Sequence, residues 1–255
     1  MTRLVETARD GVVTIVTLNL PEKRNTLSVE MRPELIEVLE ALQLDETCRA
    51  IVLTGAGGAF CAGGDIAAMR SDDPAGGRHR LVLAQRIIRL LAAGQKPVVA
   101  AVEGHALGGG LALALACDKV VAHPKATFGA SYARLGLMPD MALLWTLPQR
   151  VGMGKAKEIM MLAATFSGEA AAALGIVDVL ADQPLETALK EAHALAAAPP
   201  LVVGLVKAAF ARGPMDLEAT FALEADGQVM LFQTADHAEA REAFFAKRPA
   251  VFKGR

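Results

Sequence analysis

Apolar positions in this chain fall in short blocks whose period alternates between that of a strand and that of a helix. Val12 to Leu20 (VVTIVTLNL) is β-branched and partly alternating, which predicts a strand ended by Pro21. Ser28 then reads as a helix N-cap, with Leu35, Val38, Leu39 and Leu42 at helical spacing behind it. Ala50 to Gly55 (AIVLTG) predicts a strand, and Gly57, Gly58, Gly63 and Gly64 punctuate the loop that follows, where Asp65 is placed to open another helix. Asp72 to Gly77 (DDPAGG) reads as a flexible loop before a helix through Leu83, Ile87, Leu90 and Leu91. A buried strand at Val98 to Val102, a glycine loop and a further helix come next. A strand at Val120 to Ala122, an extended piece at Thr127 to Gly129 and helical material from about Asp140 repeat the pattern. Strands alternating with helices predict an α/β layered domain.

After Pro184 the strand signal stops. Leu185 to Ala197, Leu201 to Ala211 and Leu217 to Phe232 each read as helix. The expected division is therefore an α/β core over 1–195 and a helical region over 196–255 that packs on its own core or on a neighbouring subunit.

Composition narrows the function. The chain of 255 residues is 53% apolar but only 4% aromatic, so its interior must be built from Ala, Leu, Val, Ile and Met. A net charge of -2 with dispersed basic residues offers no general attraction to nucleic acid or to an anionic membrane. The longest uncharged stretch, Gly104 to Cys117, is too short to span a bilayer. Cys48, Cys61 and Cys117 lack metal-ligand spacing, and an odd number does not suit a disulfide framework, so no metal site is expected and a reducing cytoplasm fits best. The opening MTRLVETARDG carries no signal-peptide pattern.

The chemistry concentrates in two glycine segments, FCAGGD (Phe60 to Asp65) and HALGGG (His105 to Gly110), each between a buried strand and a helix. Such a junction aims free backbone N–H groups and the positive end of a helix dipole at whatever lies above it. It serves as a phosphate cradle, as an oxyanion hole, or simply as a tight turn. Neither segment has the Lys-Ser/Thr pair of a P-loop or the spacing of a dinucleotide fingerprint. His105 beside the second loop reads as a packing or hydrogen-bonding residue.

The pairing of these loops resembles the crotonase superfamily, the enoyl-CoA hydratase/isomerase family. The resemblance extends through LNLPEKRNTLS, IVLTGAGGAFCAGGDI, KPVVAAVEGHALGGG, ACDKVVAHPKATFG, LGLMPD and LPQRVGMGKAKEIMM, nearly the whole chain. It implies a spiral of β-β-α repeats with a helical C-terminal region that trimerises, commonly into hexamers, and an acyl-CoA thioester as substrate with no cofactor beyond its coenzyme A. Carried over residue by residue, the two oxyanion donors fall on the amides of Gly64 and Gly109. Coenzyme A falls along Lys23, Arg24, Ala62, Asp65 and Ile66.

The sequence departs from the hydratase pattern at both acids. Where hydratases of this family carry glutamates, this chain has Ala112 and Tyr132. Ala112 has no titratable group, and Tyr132, with a reference pKa of about 10, is a poor base at neutral pH. The carboxylate left in the neighbourhood is Asp140 of LGLMPD, the place where isomerase members of the family carry a single acid. One such group suffices to remove a proton from the α carbon and return it at the γ carbon while the oxyanion hole holds the dienolate. The expected activity is thus double-bond isomerisation with Asp140 as proton shuttle. Tyr132, Ser131, Ala112 and Leu137 are expected to line the acyl pocket. Three alternatives stand beside it: a hydratase with non-standard acids, a CoA-thioester-binding member without turnover, and a dehalogenase or hydrolase using Asp140 as nucleophile. A further possibility is that Asp140 merely caps the next helix.

Overall fold

Every residue of the strand Val98–Val102 is buried, and a strand is apolar throughout only where both faces of its sheet are covered. The computed structural model, which describes residues 3–69 and 73–255, shows what covers them. Its strands are β1 (Val5–Asp10), β2 (Val13–Leu18), β3 (Ala50–Gly55), β4 (Val98–Val102), β5 (His105–Leu107), β6 (Lys119–Ala122), β7 (Thr127–Gly129), β8 (Thr165–Ser167) and β9 (Val179–Leu180). Its helices are α1 (Met31–Leu44), α2 (Pro74–Ala92), α3 (Gly109–Leu115), α4 (Leu143–Val151), α5 (Met153–Met161), α6 (Gly168–Ala173), α7 (Pro184–Ala196), α8 (Pro200–Ala211), α9 (Leu217–Leu231) and α10 (Ala235–Ala246).

One sheet has the order β1-β2-β3-β4-β6-β9, and a smaller one has the order β5-β7-β8. β1 and β2 are antiparallel, and the remaining neighbours in the large sheet are parallel. Side chains alternate between its faces. Val13, Ala50, Val52, Val99, Ala101 and Val121 pack on Ala188, Ala192 and Ala196 of α7, whose spacing of four residues lays small side chains along one helical stripe. Ile51, Leu53, Val98, Ala100, Val102 and Val120 face the other way, into the larger core with α1, α2 and α3. β4 with β5 and α3 forms one β-β-α turn. β6 with β7 and the helices after it forms the next, and parallel pairing of β5 with β7 stacks the two.

Most boundaries follow the expected ones. β3, β4 and β7 begin and end where the sequence places them. The expected loop up to Gly77 is helical from Pro74 onward. There Asp73 Oδ1 accepts the Gly76 amide at 2.8 Å, with Pro74 in the first turn, and Asp72 lies outside the described residues. The N-cap position of α1 is Glu30 rather than the expected Ser28, which stands two residues earlier in the preceding turn and accepts the Met31 amide at 3.1 Å. Beyond Pro184 there are four helices rather than three, because α10 follows α9.

The C-terminal helices are tied to the core at few points. Lys207 of α8, only 6% exposed, donates to the Leu91 carbonyl at 2.8 Å and pairs with Asp118. Asp118 also accepts the Val98 amide at 2.7 Å. Arg49 donates to the carbonyls of Ala198 and Phe252. α9 buries none of its residues, and Phe210, Phe221, Phe232, Phe244 and Phe245 are each more than half exposed. Among the described residues no single helix is long and apolar enough to cross a membrane.

Candidate active site

The two glycine segments lie side by side, stitched by main-chain hydrogen bonds. Phe60 N–H donates to Glu103 O, Cys61 N–H to His105 O, Leu107 N–H to Cys61 O, and Gly108 N–H to Gly129 O. This contact is too close for side chains. A Cβ on Gly110 would stand 2.0 Å from the Cys61 carbonyl oxygen, and one on Gly63, whose φ is +103°, would stand 2.8 Å from Leu107 O. Glycine at these places is a requirement of approach and conformation together.

The stitching brings the Gly64 and Gly109 amides together. The Cβ position of Gly109 is 3.7 Å from Gly64 N. Gly109 opens α3, where an N–H has no intrahelical acceptor, and among the described residues neither amide has an acceptor. Two donors without acceptors thus lie close together, an arrangement suited to holding a developing oxyanion. Met141 Sδ lies 3.1 Å from the Gly109 Cβ position and Met69 Cε 3.2 Å from that of Gly64, so thioether side chains wall the space.

Asp140 reaches this space through an unusual turn. Met141 and Ala142, neither of them glycine, both take left-handed φ values of 50° and 59°. Non-glycine residues rarely adopt this conformation, and two in succession must be held by their surroundings. α4 starts only after Ala142, with no side-chain cap. The Asp140 carboxylate therefore does not cap the helix. Its Oδ1 instead accepts the Tyr132 hydroxyl at 2.7 Å. Tyr132 is 8% exposed, and its ring is 4.0 Å from the Cβ position of Gly108. Burial, then the Asp140 charge and the hydrogen bond to it, push the phenol well above its usual range. The phenol is thus a fixed donor rather than a base.

Other expected residues divide between this site and elsewhere. Lys23 Nζ is 3.5 Å from Asp65 Oδ2, and the Ala62 amide donates to Arg24 O at 3.0 Å, so the residues expected to hold coenzyme A cluster at one rim, with Ile66 59% exposed. Ser131 is half-buried at the start of the short helix that carries Tyr132. Ala112 is fully buried in α3. Leu137 lines an apolar cavity of about 400 Å³ with Ala133, Pro139, Leu144 and Met160, and that lining includes neither Gly64 nor Gly109. Cys61 is buried, which pushes its thiol up to about 12 and leaves it inert.

One residue of the site escaped the sequence. Arg32, on the first turn of α1, places Nη2 3.7 Å from the Cβ position of Gly64. It arrives there because the segment before it pairs with the first glycine loop, Leu27 N–H donating to Gly63 O at 2.8 Å and Leu27 bridging Gly64. Nothing in MRPELIE separates Arg32 from an ordinary surface charge.

Comparison with known proteins places this geometry. The family profile described as Enoyl-CoA hydratase/isomerase matches residues 8–255. The chain is 38% identical over 253 residues, 96% of each chain, to a 1,2-epoxyphenylacetyl-CoA isomerase of Escherichia coli. It is 34% identical over 244 residues, 94% of each chain, to a short-chain-enoyl-CoA hydratase of Clostridium acetobutylicum. The crystal structure of an enoyl-CoA hydratase from Bacillus anthracis superposes with a TM-score of 0.93 at 30% identity, covering 99% of this chain and 100% of that one.

Proposed function

The chain belongs to the enoyl-CoA hydratase/isomerase family, and we propose that within it the protein moves the double bond of an enoyl-CoA thioester, with Asp140 as the proton shuttle. The observation that carries this reading is the surviving acid. Ala112 has no titratable group, Tyr132 is a buried phenol whose ring lies 4.0 Å from the Cβ position of Gly108, and the carboxylate its hydroxyl holds is that of Asp140. A single carboxylate cannot serve as both base and separate acid for addition of water, but it can return the proton it took.

In this reading the thioester oxygen sits between the Gly64 and Gly109 amides. Asp140 takes a proton from the α carbon of a 3-enoyl-CoA. The electron pair of that C–H bond becomes the double bond of a dienolate, and its negative charge resides on the thioester oxygen. When the carbonyl reforms, the α,β double bond forms and the former β,γ pair accepts the proton at the γ carbon from the Asp140 carboxyl. The Tyr132 hydroxyl occupies Oδ1 and leaves Oδ2 to carry the proton. Lys23, Arg24, Ala62, Asp65 and Ile66 form the rim for coenzyme A, and the reaction uses no cofactor beyond it. The unburied α9 and the exposed phenylalanines of α8 to α10 suit a trimer or a hexamer of two trimers, and three unpaired buried cysteines suit a reducing cytoplasm.

Absorbance of the conjugated thioester tests the proposal. The signal should grow from a 3-enoyl-CoA and persist with a 2-enoyl-CoA. Loss of the signal from a 2-enoyl-CoA, with uptake of water, would establish a hydratase instead.

A further inference from the structure

Arg32 is a charge without an ion-pair partner among the described residues. Its Nε is buried and has no hydrogen-bond partner, and among the described residues neither Arg32 nor Arg80 of α2 has a carboxylate within ion-pair range. The opposite charge acting most strongly on Arg32 is Asp140, whose Oδ1 is occupied by Tyr132. Asp65 also faces it but pairs with Lys23. Arg80 is the like charge acting most strongly on it. Burial and Arg80 hold the guanidinium below its usual range while Asp140 opposes them, yet arginine stays protonated in proteins. The Arg32 guanidinium therefore lies at the edge of the space beside the Gly64 amide, 3.7 Å from the Gly64 Cβ position, with the positive charge of Arg80 also acting on it. A purely aliphatic acyl chain entering that space would further desolvate Arg32 and leave its buried N–H unpaired.

We propose that Arg32, reinforced by the positive charge of Arg80, forms an anion subsite in the acyl pocket, so that the preferred substrate is a CoA thioester whose acyl chain carries a second carboxylate. The inference rests on the acyl-CoA reading above and deepens it to a substrate class. A carboxylate in this place satisfies the Arg32 fork with paired hydrogen bonds, the geometry that distinguishes arginine from lysine in recognising planar oxyanions.

Binding of saturated, unreactive thioesters tests the subsite apart from turnover. Titration calorimetry with hexanoyl-CoA and with the CoA monothioester of hexanedioic acid should show the wild-type protein binding the dicarboxylic compound at least about 10-fold more tightly. Arg32→Gln should abolish that preference, and Arg80→Gln should reduce it. In turnover, Arg32→Gln should lower kcat/KM for the carboxylated 3-enoyl-CoA about 100-fold more than for its neutral counterpart. Equal or tighter binding of hexanoyl-CoA by the wild type overturns the subsite alone, as does a preference that survives Arg32→Gln. If Arg32→Gln does not fold, the wild-type comparison and Arg80→Gln decide the matter. Binding of neither thioester overturns the acyl-CoA reading and the subsite with it.

Discussion

The hydroxyl of Tyr132 donates a 2.7 Å hydrogen bond to Asp140 Oδ1 across a separation of eight residues. Tyr132, which the family resemblance sets where a hydratase is expected to carry an acid, is thereby the partner of Asp140. Burial makes the contact strong, because it keeps the phenol protonated as a donor. The backbone cooperates, since the left-handed pair Met141 and Ala142 turns the chain so that Asp140 faces Tyr132 rather than the helix behind it.

Removing that donor should cost rate more than binding. Tyr132→Phe keeps the ring and loses the hydroxyl, so kcat for isomerisation is expected to fall about 10-fold, a hydrogen bond being worth up to about 1.5 kcal/mol. KM should change less than about 2-fold, because the bond orients the acid rather than the substrate. Steady-state kinetics on a 3-enoyl-CoA reads both. A larger rise in KM than fall in kcat would assign Tyr132 to substrate binding.

Asp140→Asn should reduce isomerisation by about 100-fold to 10,000-fold, the range that a positioned acid or base contributes. CoA-thioester affinity, measured by calorimetry, should stay within about 3-fold of wild type. Retained turnover in this variant would remove Asp140 from the mechanism.

Two glycines of the site should respond oppositely to alanine. At Gly110 the new methyl meets the Cys61 carbonyl oxygen, a main-chain atom that cannot swing aside, at 2.0 Å, and the expected loss of stability is about 3 kcal/mol or more. At Gly64 it meets the mobile end of Met69 at 3.2 Å, and the cost should remain below about 1 kcal/mol. Urea unfolding of the two variants checks the contrast.

Lys207→Ala should destabilise the protein by about 3 kcal/mol, since it removes a nearly buried charge from both Asp118 and the Leu91 carbonyl. The same variant should loosen α8, which thermal denaturation combined with hydrogen exchange over residues 200–211 would register.

Alkali should weaken the fold through Cys61 and Tyr132. Both are held above their unfolded values, about 8.5 for a thiol and about 10 for a phenol, so above those values the unfolded chain binds fewer protons than the native one. Their contribution is complete below about pH 8.5 and is lost as pH rises toward the native values. Urea midpoints should therefore decline above about pH 9, and Cys61→Ala should decline less steeply.

Much of the architecture was legible because its strands are buried on both faces. β3 and β4 are uninterrupted apolar runs bounded by glycine or proline, and their limits were evident. β1 was missed because VETARD lies at the sheet edge with only Val5 buried, and an edge strand need not alternate apolar with polar. β5 has only three residues and lies inside the glycine motif, which masks it. α10 buries only Asp236 and Ala243, so no apolar stripe marked it.

The site was legible where it is made of motif and hidden where it is made of contact. Glycine clustering disclosed the junctions carrying Gly64 and Gly109, because few other residues survive such close packing. The bond from Tyr132 to Asp140 and the approach of Arg32 to Gly64 depend on the turns between the elements that carry them, and no periodicity reports that geometry. Leu137 lines a cavity together with Pro139, the residue before Asp140, and with residues of α4 and α5.

The neighbouring amides of Gly64 and Gly109 belong to the main chain, so no side-chain exchange deletes them while the loops keep their path. Half of the chemistry in such a site is heritable through the fold itself. An acid can then stand on one wall of such a site or on another without dismantling the place where charge accumulates.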